Sequence, residues 1–223
     1  MEALRLGGRF LLEGRLQTLG LEASRKAKRF AITAAAPRRL TEAFGQDEVV
    51  PSHRLLAAVA IEQRLQTPRK GMAAIKEFCP PEDMFLHNVF RFHPDHMLIG
   101  VVTAIRGSVR FRLGDRRLIV RDLIELRFDE KACWRGASFD APPLAPEDAG
   151  ALVTTDEGQI VGLLVGGAGY LGYAAPVEPF LRENGLVHRR VGNPDATDAA
   201  LASLEAELAR EPSFGLEQYL EAA

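Results

Sequence analysis

Three groups of residues have types and spacings that could do chemistry. His87, His93 and His96 lie within ten residues of one another, with Asp95 beside the last. Imidazole and carboxylate so grouped can ligate a metal or move a proton. The proline in His93-Pro94-Asp95-His96 and the uneven spacing instead fit a polar loop, so no metal site is expected. The second group is the two cysteines, Cys79 and Cys133. They form no Cys-x-x-Cys or Cys/His ligand pattern, and free structural thiols are expected. The third is Gly166, Gly167 and Gly169. These follow an apolar run but open no helix and carry no P-loop lysine, so they make no phosphate cradle. No cofactor is expected.

The elements that must position such residues read as short strands. Arg9 to Leu12, Leu16 to Ala23 and Arg29 to Thr33 are β-like runs separated by glycine or charge. Val109, Phe111 and Leu113 alternate with Arg110 and Arg112, which gives one apolar and one charged face. Gly114 and Asp115 supply a turn, and Ile124, Leu126 and Phe128 are expected to complete a long hairpin. Asp156, Glu157 and Gly158 form the turn of a second hairpin, from Ala151 to Val165. Ser52 could cap a helix through Leu65, while Leu55 to Ile61 serves equally as a buried strand. Asp195 to Arg210 places Leu201, Leu204 and Leu208 on one stripe of an amphipathic helix.

Bulk properties exclude several classes. With 223 residues and 47% hydrophobic content the chain can bury a real core. Its formal net charge of −2 gives no overall attraction to nucleic acid or anionic lipid, so neither is expected as a partner. No run reaches membrane-spanning length, and Glu2, Arg5 and Arg9 interrupt the start as a signal peptide would not. A cytoplasmic location is the expectation.

The segment Pro146-Glu147-Asp148-Ala149-Gly150-Ala151-Leu152-Val153, then Gly158 to Leu163, then Tyr173-Ala174-Ala175-Pro176-Val177-Glu178-Pro179, resembles the C-terminal barrel of trypsin-like serine proteases, especially bacterial ones. In that family a Gly-Asp-Ser-Gly turn lies between strands, a Val-Gly-Leu strand follows, and a proline leads into a short helix, here Val177 to Glu183. The resemblance implies an all-β fold of two six-stranded β-barrels with a short C-terminal helical tail. The expected divisions are residues 1–98, 99–190 and 191–223.

The resemblance also implies where a catalytic triad would sit, and the matching residues are unsuited to it. Ala149 stands at the nucleophile, Ala36 of Thr33-Ala34-Ala35-Ala36 at the histidine, and Arg54 near the acid. In the oxyanion turn formed with Asp148 and Gly150, Glu147 replaces a glycine that lets the backbone bend. The expectation is a catalytically inactive pseudoprotease, acting as an adaptor, scaffold or regulatory subunit for a protein partner in a bacterial defence or protease-cascade assembly. The glycines at 166, 167 and 169 would line its binding groove. The rivals are a serine endopeptidase with histidine and serine replaced by alanine, and a substrate of another protease cut in the loop Pro68 to Asp83. Glu147 favours natural loss, because an engineered inactive form gives no reason to change that glycine.

Overall fold

The computed structural model describes residues 7–12, 15–62, 75, 77–92, 97–113, 116–134, 137–140 and 142–188. The expected helix at 195–210 and the tail from 191 lie outside them, as do His93, Asp95 and His96. The chain opens with a hairpin of β1 (Arg9–Leu12) and β2 (Arg15–Thr18). β3 (Leu21–Arg25) and β4 (Lys28–Ala34) form the next hairpin. The expected single run from Leu16 to Ala23 is divided at Leu19 and Gly20. A Cβ on Gly20 would stand 2.3 Å from the Gly150 carbonyl oxygen, so this residue marks a close crossing of two backbones.

Helix α1 (Pro37–Ala43) follows, with Ala36 as its N-cap and proline in its first turn, where the missing N–H costs nothing. Next comes β5 (Val49–Pro51), then a 3-10 turn over Ser52–Leu55, then β6 (Leu56–Ile61). The strand reading of 55–61 therefore prevails over the helical one. Backbone pairing with β4 along its whole length secures it.

β7 (Asn88–Phe92) and β8 (Met97–Arg106) begin the second half. β9 (Val109–Leu113) then pairs with β10 (Arg116–Arg121), not with the run from residue 124. Asp122, at φ 61°, turns the chain so that β11 (Leu123–Phe128) leaves the hairpin and pairs with β8. This corrects the long hairpin expected from alternation, which continues on both sides of the corner and does not reveal it. β12 (Lys131–Trp134) and β13 (Ala137–Asp140) make a small hairpin.

A 3-10 turn at Pro146–Asp148 leads to β14 (Leu152–Thr155), β15 (Ile160–Ala168) and β16 (Leu171–Ala175). Helix α2 (Val177–Glu183) lies where the sequence places it, and β17 (Val187–His188) follows.

The strands β11-β16-β15-β14-β7-β8 form a closed six-stranded barrel. The barrel starts at Asn88, so the expected boundary at 98/99 falls inside its second strand. In the first half, the described residues show a four-stranded sheet β17-β3-β4-β6 beside the β1-β2 hairpin. The architecture is mostly β, as expected. Closure is seen for the C-terminal barrel, while the N-terminal six-stranded barrel is represented by this open sheet. Three apolar clusters hold it together. One fills the barrel around Leu126, Val153 and Val161; one lies under β3, β4 and α2 around Leu21, Ile32 and Leu181. The third joins α1, β5 and the β9-β10 hairpin through Leu40, Val50, Leu55, Leu118 and Val120. No helix among the described residues is long and apolar enough to cross a membrane.

Among the described glycines, Gly150 leaves the least room for a side chain. Its φ is +94°, and a Cβ there would meet Thr33 Oγ1 at 2.2 Å and the Thr18 carbonyl oxygen at 2.3 Å. Gly150→Ala is expected to cost about 2–4 kcal/mol in chemical unfolding, from backbone strain plus steric conflict. Gly107→Ala, which meets nothing within 4 Å, should stay within about 0.5 kcal/mol of the parent.

Candidate functional site

The turn before β14 is built from the backbone outward. Asp148 N–H donates to the Ala145 carbonyl at 2.9 Å, and Asp148 Oδ2 accepts Ala145 N–H at 2.8 Å, so the turn winds tightly on itself. Ala149 N–H donates to the Pro146 carbonyl at 3.3 Å. The first half of the chain clamps the turn from outside. Thr18 N–H donates to the Ala149 carbonyl at 3.1 Å, Thr18 Oγ1 to the Glu147 carbonyl at 2.8 Å, and Thr33 Oγ1 to the Thr18 carbonyl at 2.8 Å.

Beneath the turn, Asp148 forms an ion pair with Arg91 of β7, whose side chain is 2% exposed. Burial pushes the Arg91 pKa below its ordinary value, and the adjacent Asp148 carboxylate opposes that shift. Arg9 of β1 stands 3.9 Å from both Glu147 and Asp148 and is one-third exposed, a weaker outer pairing.

A cleft of about 750 Å³ opens beside the turn. Ala149, Leu144 and Pro146 line one side, Ala34, Ala35 and Leu40 another, and β9 and the end of β15 the rest. From Gly166 to Ala168, after an irregularity at Val165, β15 pairs with β16 on one edge. Its partner on the other edge, β14, stops opposite Leu163, so among the described residues no strand covers that edge where it borders the cleft.

No protein-family model matches the chain, and no curated protein matches it at a significant level. Solved structures do. Protease A of Thermobifida fusca superposes with a TM-score of 0.55 at 15% identity, covering 86% of this chain and 100% of that one. The chymotrypsin of Cellulomonas bogoriensis gives 0.54 at 17% identity, covering 84% and 98%. An α-lytic protease homologue, N4, gives 0.55 at 20% identity, covering 83% and 99%. The chain has the chymotrypsin-like serine protease fold.

In this chymotrypsin-like fold, Ala149 alone of the three residues matched by sequence to a triad lines the cleft. Ala149 sits at the mouth of the cleft on its turn, and Ala36 is buried at the start of α1. Arg54 does not line the cleft. It is half-exposed and lies 3.8 Å from Glu183 of α2, which also approaches His53 Nε2 at 3.3 Å. Ser52, two residues earlier, is fully buried and donates from Oγ to the Asp122 carbonyl at 2.7 Å. No carboxylate therefore comes from this turn.

The glycines at 166, 167 and 169 have intramolecular reasons to lack side chains. A Cβ on Gly166 would stand 2.6 Å from Phe111 Cε1, so the notch it leaves is filled by Phe111, which also packs edge-on against Tyr173 at 5.7 Å. Gly167 makes room for Leu144, whose Cδ1 would lie 2.8 Å from a Cβ there. Gly169, at φ +60°, accepts Leu144 N–H at 2.7 Å on its carbonyl. Gly166 and Gly167 line the cleft, and the chain itself occupies part of the space beside them. Phe111 and Leu144 were not legible as site residues, because a strand phenylalanine and a loop leucine read as ordinary core.

The other candidates lie elsewhere. His87 Nδ1 stands 3.0 Å from Asp156 Oδ1 across a turn, and no group of three or more ligating side chains gathers among the described residues. Cys79 is buried, and burial together with Asp83 raises its thiol pKa, which keeps it protonated and unreactive. Nothing is described of the Cys133 side chain. The start of the loop Pro68 to Asp83 lies outside the described residues. Its described part is tied to β15 by Cys79 N–H to the Ile160 carbonyl at 2.8 Å and Ile160 N–H to the Glu77 carbonyl at 2.9 Å.

The Arg91–Asp148 pair yields a direct test. Asp148→Asn leaves a buried guanidinium without its counter-charge and should destabilise the chain by about 3–5 kcal/mol in urea unfolding. The double variant Arg91→Met/Asp148→Leu should cost less than that single change, because no charge is left stranded.

Proposed function

We propose that the protein is a catalytically silent member of the chymotrypsin-like fold class that binds a protein partner as an adaptor, scaffold or regulatory subunit. One observation carries the reading: at Ala149 both the side chain and the backbone lack what acyl transfer requires. The side chain is a methyl group, and the N–H that would help hold an oxyanion is donated to the Pro146 carbonyl at 3.3 Å. Ala36 supplies no imidazole at the matching position, and the 52–55 turn supplies no carboxylate. What this leaves is an apolar cleft with an open strand edge, a surface suited to holding an extended chain without cutting it. A bacterial assembly, in defence or in a protease cascade, and a cytoplasmic location fit this role.

Restoring the two side chains tests the loss of activity. Ala36→His/Ala149→Ser should remain unlabelled by a fluorophosphonate probe and inert toward generic peptide substrates, because the turn still withholds its N–H and still carries Glu147. Robust labelling and turnover would establish the rival reading, a serine endopeptidase disabled at two positions. Partner binding is tested with a photo-crosslinking residue at Ala168, on the open edge. A specific adduct should form in the native host and disappear with Gly166→Arg, and absence of any adduct would defeat the adaptor role.

A further inference from the structure

The barrel has a second end, away from the cleft. β14 runs from the Ala149 turn to Thr155, and β15 returns from Ile160 to the cleft at Gly166. The turn Asp156-Glu157-Gly158 between them stands at the remote end. Beside it lies the segment that leads into β7, tied on by Asp156 N–H to the Asn88 carbonyl at 3.1 Å and Cys79 N–H to the Ile160 carbonyl at 2.8 Å.

This end is acidic. Residues 77–88 include Glu77, Glu82 and Asp83 and no lysine or arginine, and residues 152–163 include Asp156 and Glu157 and again none. Burial, then Asp83, Glu157 and Glu82, raise the Cys79 thiol, so these three carboxylates lie near one point of the surface. Asp156 has its own partner in His87, at 3.0 Å. Among the described residues no group of three ligating side chains is placed to hold a metal ion, so the charge suits a partner whose cations are spread over a face.

The same end exposes apolar side chains. Met84 is buried in the barrel cluster and anchors a 3-10 turn over Met84–Leu86, which leaves Leu86 77% and Phe85 50% exposed. The turn packs against β8, whose Val101, opposite Asn88 in the register, is also exposed. Apolar side chains held out by a buried anchor and rimmed by charge mark a docking surface.

We infer that this end of the barrel docks a basic amphipathic helix of a second protein, with Phe85, Leu86 and Val101 against its apolar face and Glu82, Asp83 and Glu157 beside its lysines or arginines. A helix is favoured over an added strand, because the β15 backbone at Ile160 is already bonded to Glu77 and Cys79. Nucleic acid and anionic lipid are repelled by the same carboxylates. Charge also disfavours residues 192–223 of the chain itself as the occupant, since they carry seven acids against one arginine. Two copies meeting here about a twofold axis would set acid against acid. The surface is separate from the cleft and does not depend on the adaptor reading.

The test titrates the full chain into a fluorescein-labelled helical peptide with leucine on one face and lysine on the other, followed by anisotropy. This peptide should bind, and its counterpart with glutamate for lysine should not. Glu82→Gln/Asp83→Asn/Glu157→Gln should weaken the lysine peptide about tenfold and flatten its salt dependence. That variant should melt no lower than the parent, because like charges are removed and Asp83 gives up no capping bond. Leu86→Ser should also weaken binding about tenfold, with an unchanged melt because the side chain is exposed. Gly166→Arg, in the cleft, should leave binding unchanged, which separates this surface from the adaptor reading. The inference is overturned if the lysine peptide fails to bind, if either surface variant binds it as the parent does, if Gly166→Arg abolishes binding, or if the glutamate peptide binds equally. A dimer of the full chain in sedimentation that Leu86→Ser dissociates would assign the surface to a second copy and overturn it as well.

Discussion

A buried ion pair between Arg91 and Asp148 anchors the turn on which the functional reading turns. A guanidinium inside a barrel wall is costly unless its charge is met, and the carboxylate that meets it belongs to the turn bearing Ala149. Barrel strand and turn therefore stand or fall together. The clamp from Thr18 and Thr33 adds the first half of the chain to the same arrangement, and Gly150 lets the backbones approach closely enough for it. The turn is thus fastened down to its deepest charge, while the Ala149 N–H within it is directed to the Pro146 carbonyl.

The cleft beside that turn is partly filled by the chain itself. Phe111 enters the notch at Gly166, and Leu144 enters the space left by Gly167 and Gly172. Because β10 pairs with β5 while Phe111 packs against Tyr173, the hairpin is fastened to elements from both halves. Its Leu118 and Val120 join an apolar cluster that reaches the groove through Leu40, Leu55 and Phe111. A wall held by packing is a more rigid platform than a loop, which suits retention of a bound chain.

Much of this was legible in the sequence. The hairpin turned by Asp156, Glu157 and Gly158 lies where the local pattern places it, because it depends on residues close in sequence, while the turn at 146–150 and helix α2 lie where the resemblance to trypsin-like proteases places them. The β9-β11 hairpin misled because alternation reports which face is buried and not which strand lies alongside. Asp122 in a left-handed conformation carried that information, and an aspartate in a polar turn is too common to reveal it. The glycines were visible, but their reasons were not: Gly166 is explained by Phe111, fifty-five residues earlier. Arg91 likewise reads as an ordinary charged strand residue until the fold brings Asp148 to it.

β17 carries a consequence for how the molecule is made. Val187 and His188 pair with Ser24 and Ala23, so the sheet that is synthesised first is edged by a strand that is synthesised late. Until the ribosome has passed that point, β3 lacks this neighbour and its backbone groups remain open to other chains. The barrel, whose strands run from 88 to 175, can close before then. Such long-separated pairing slows folding, and the nascent amino-terminal sheet keeps this edge of β3 open until β17 arrives.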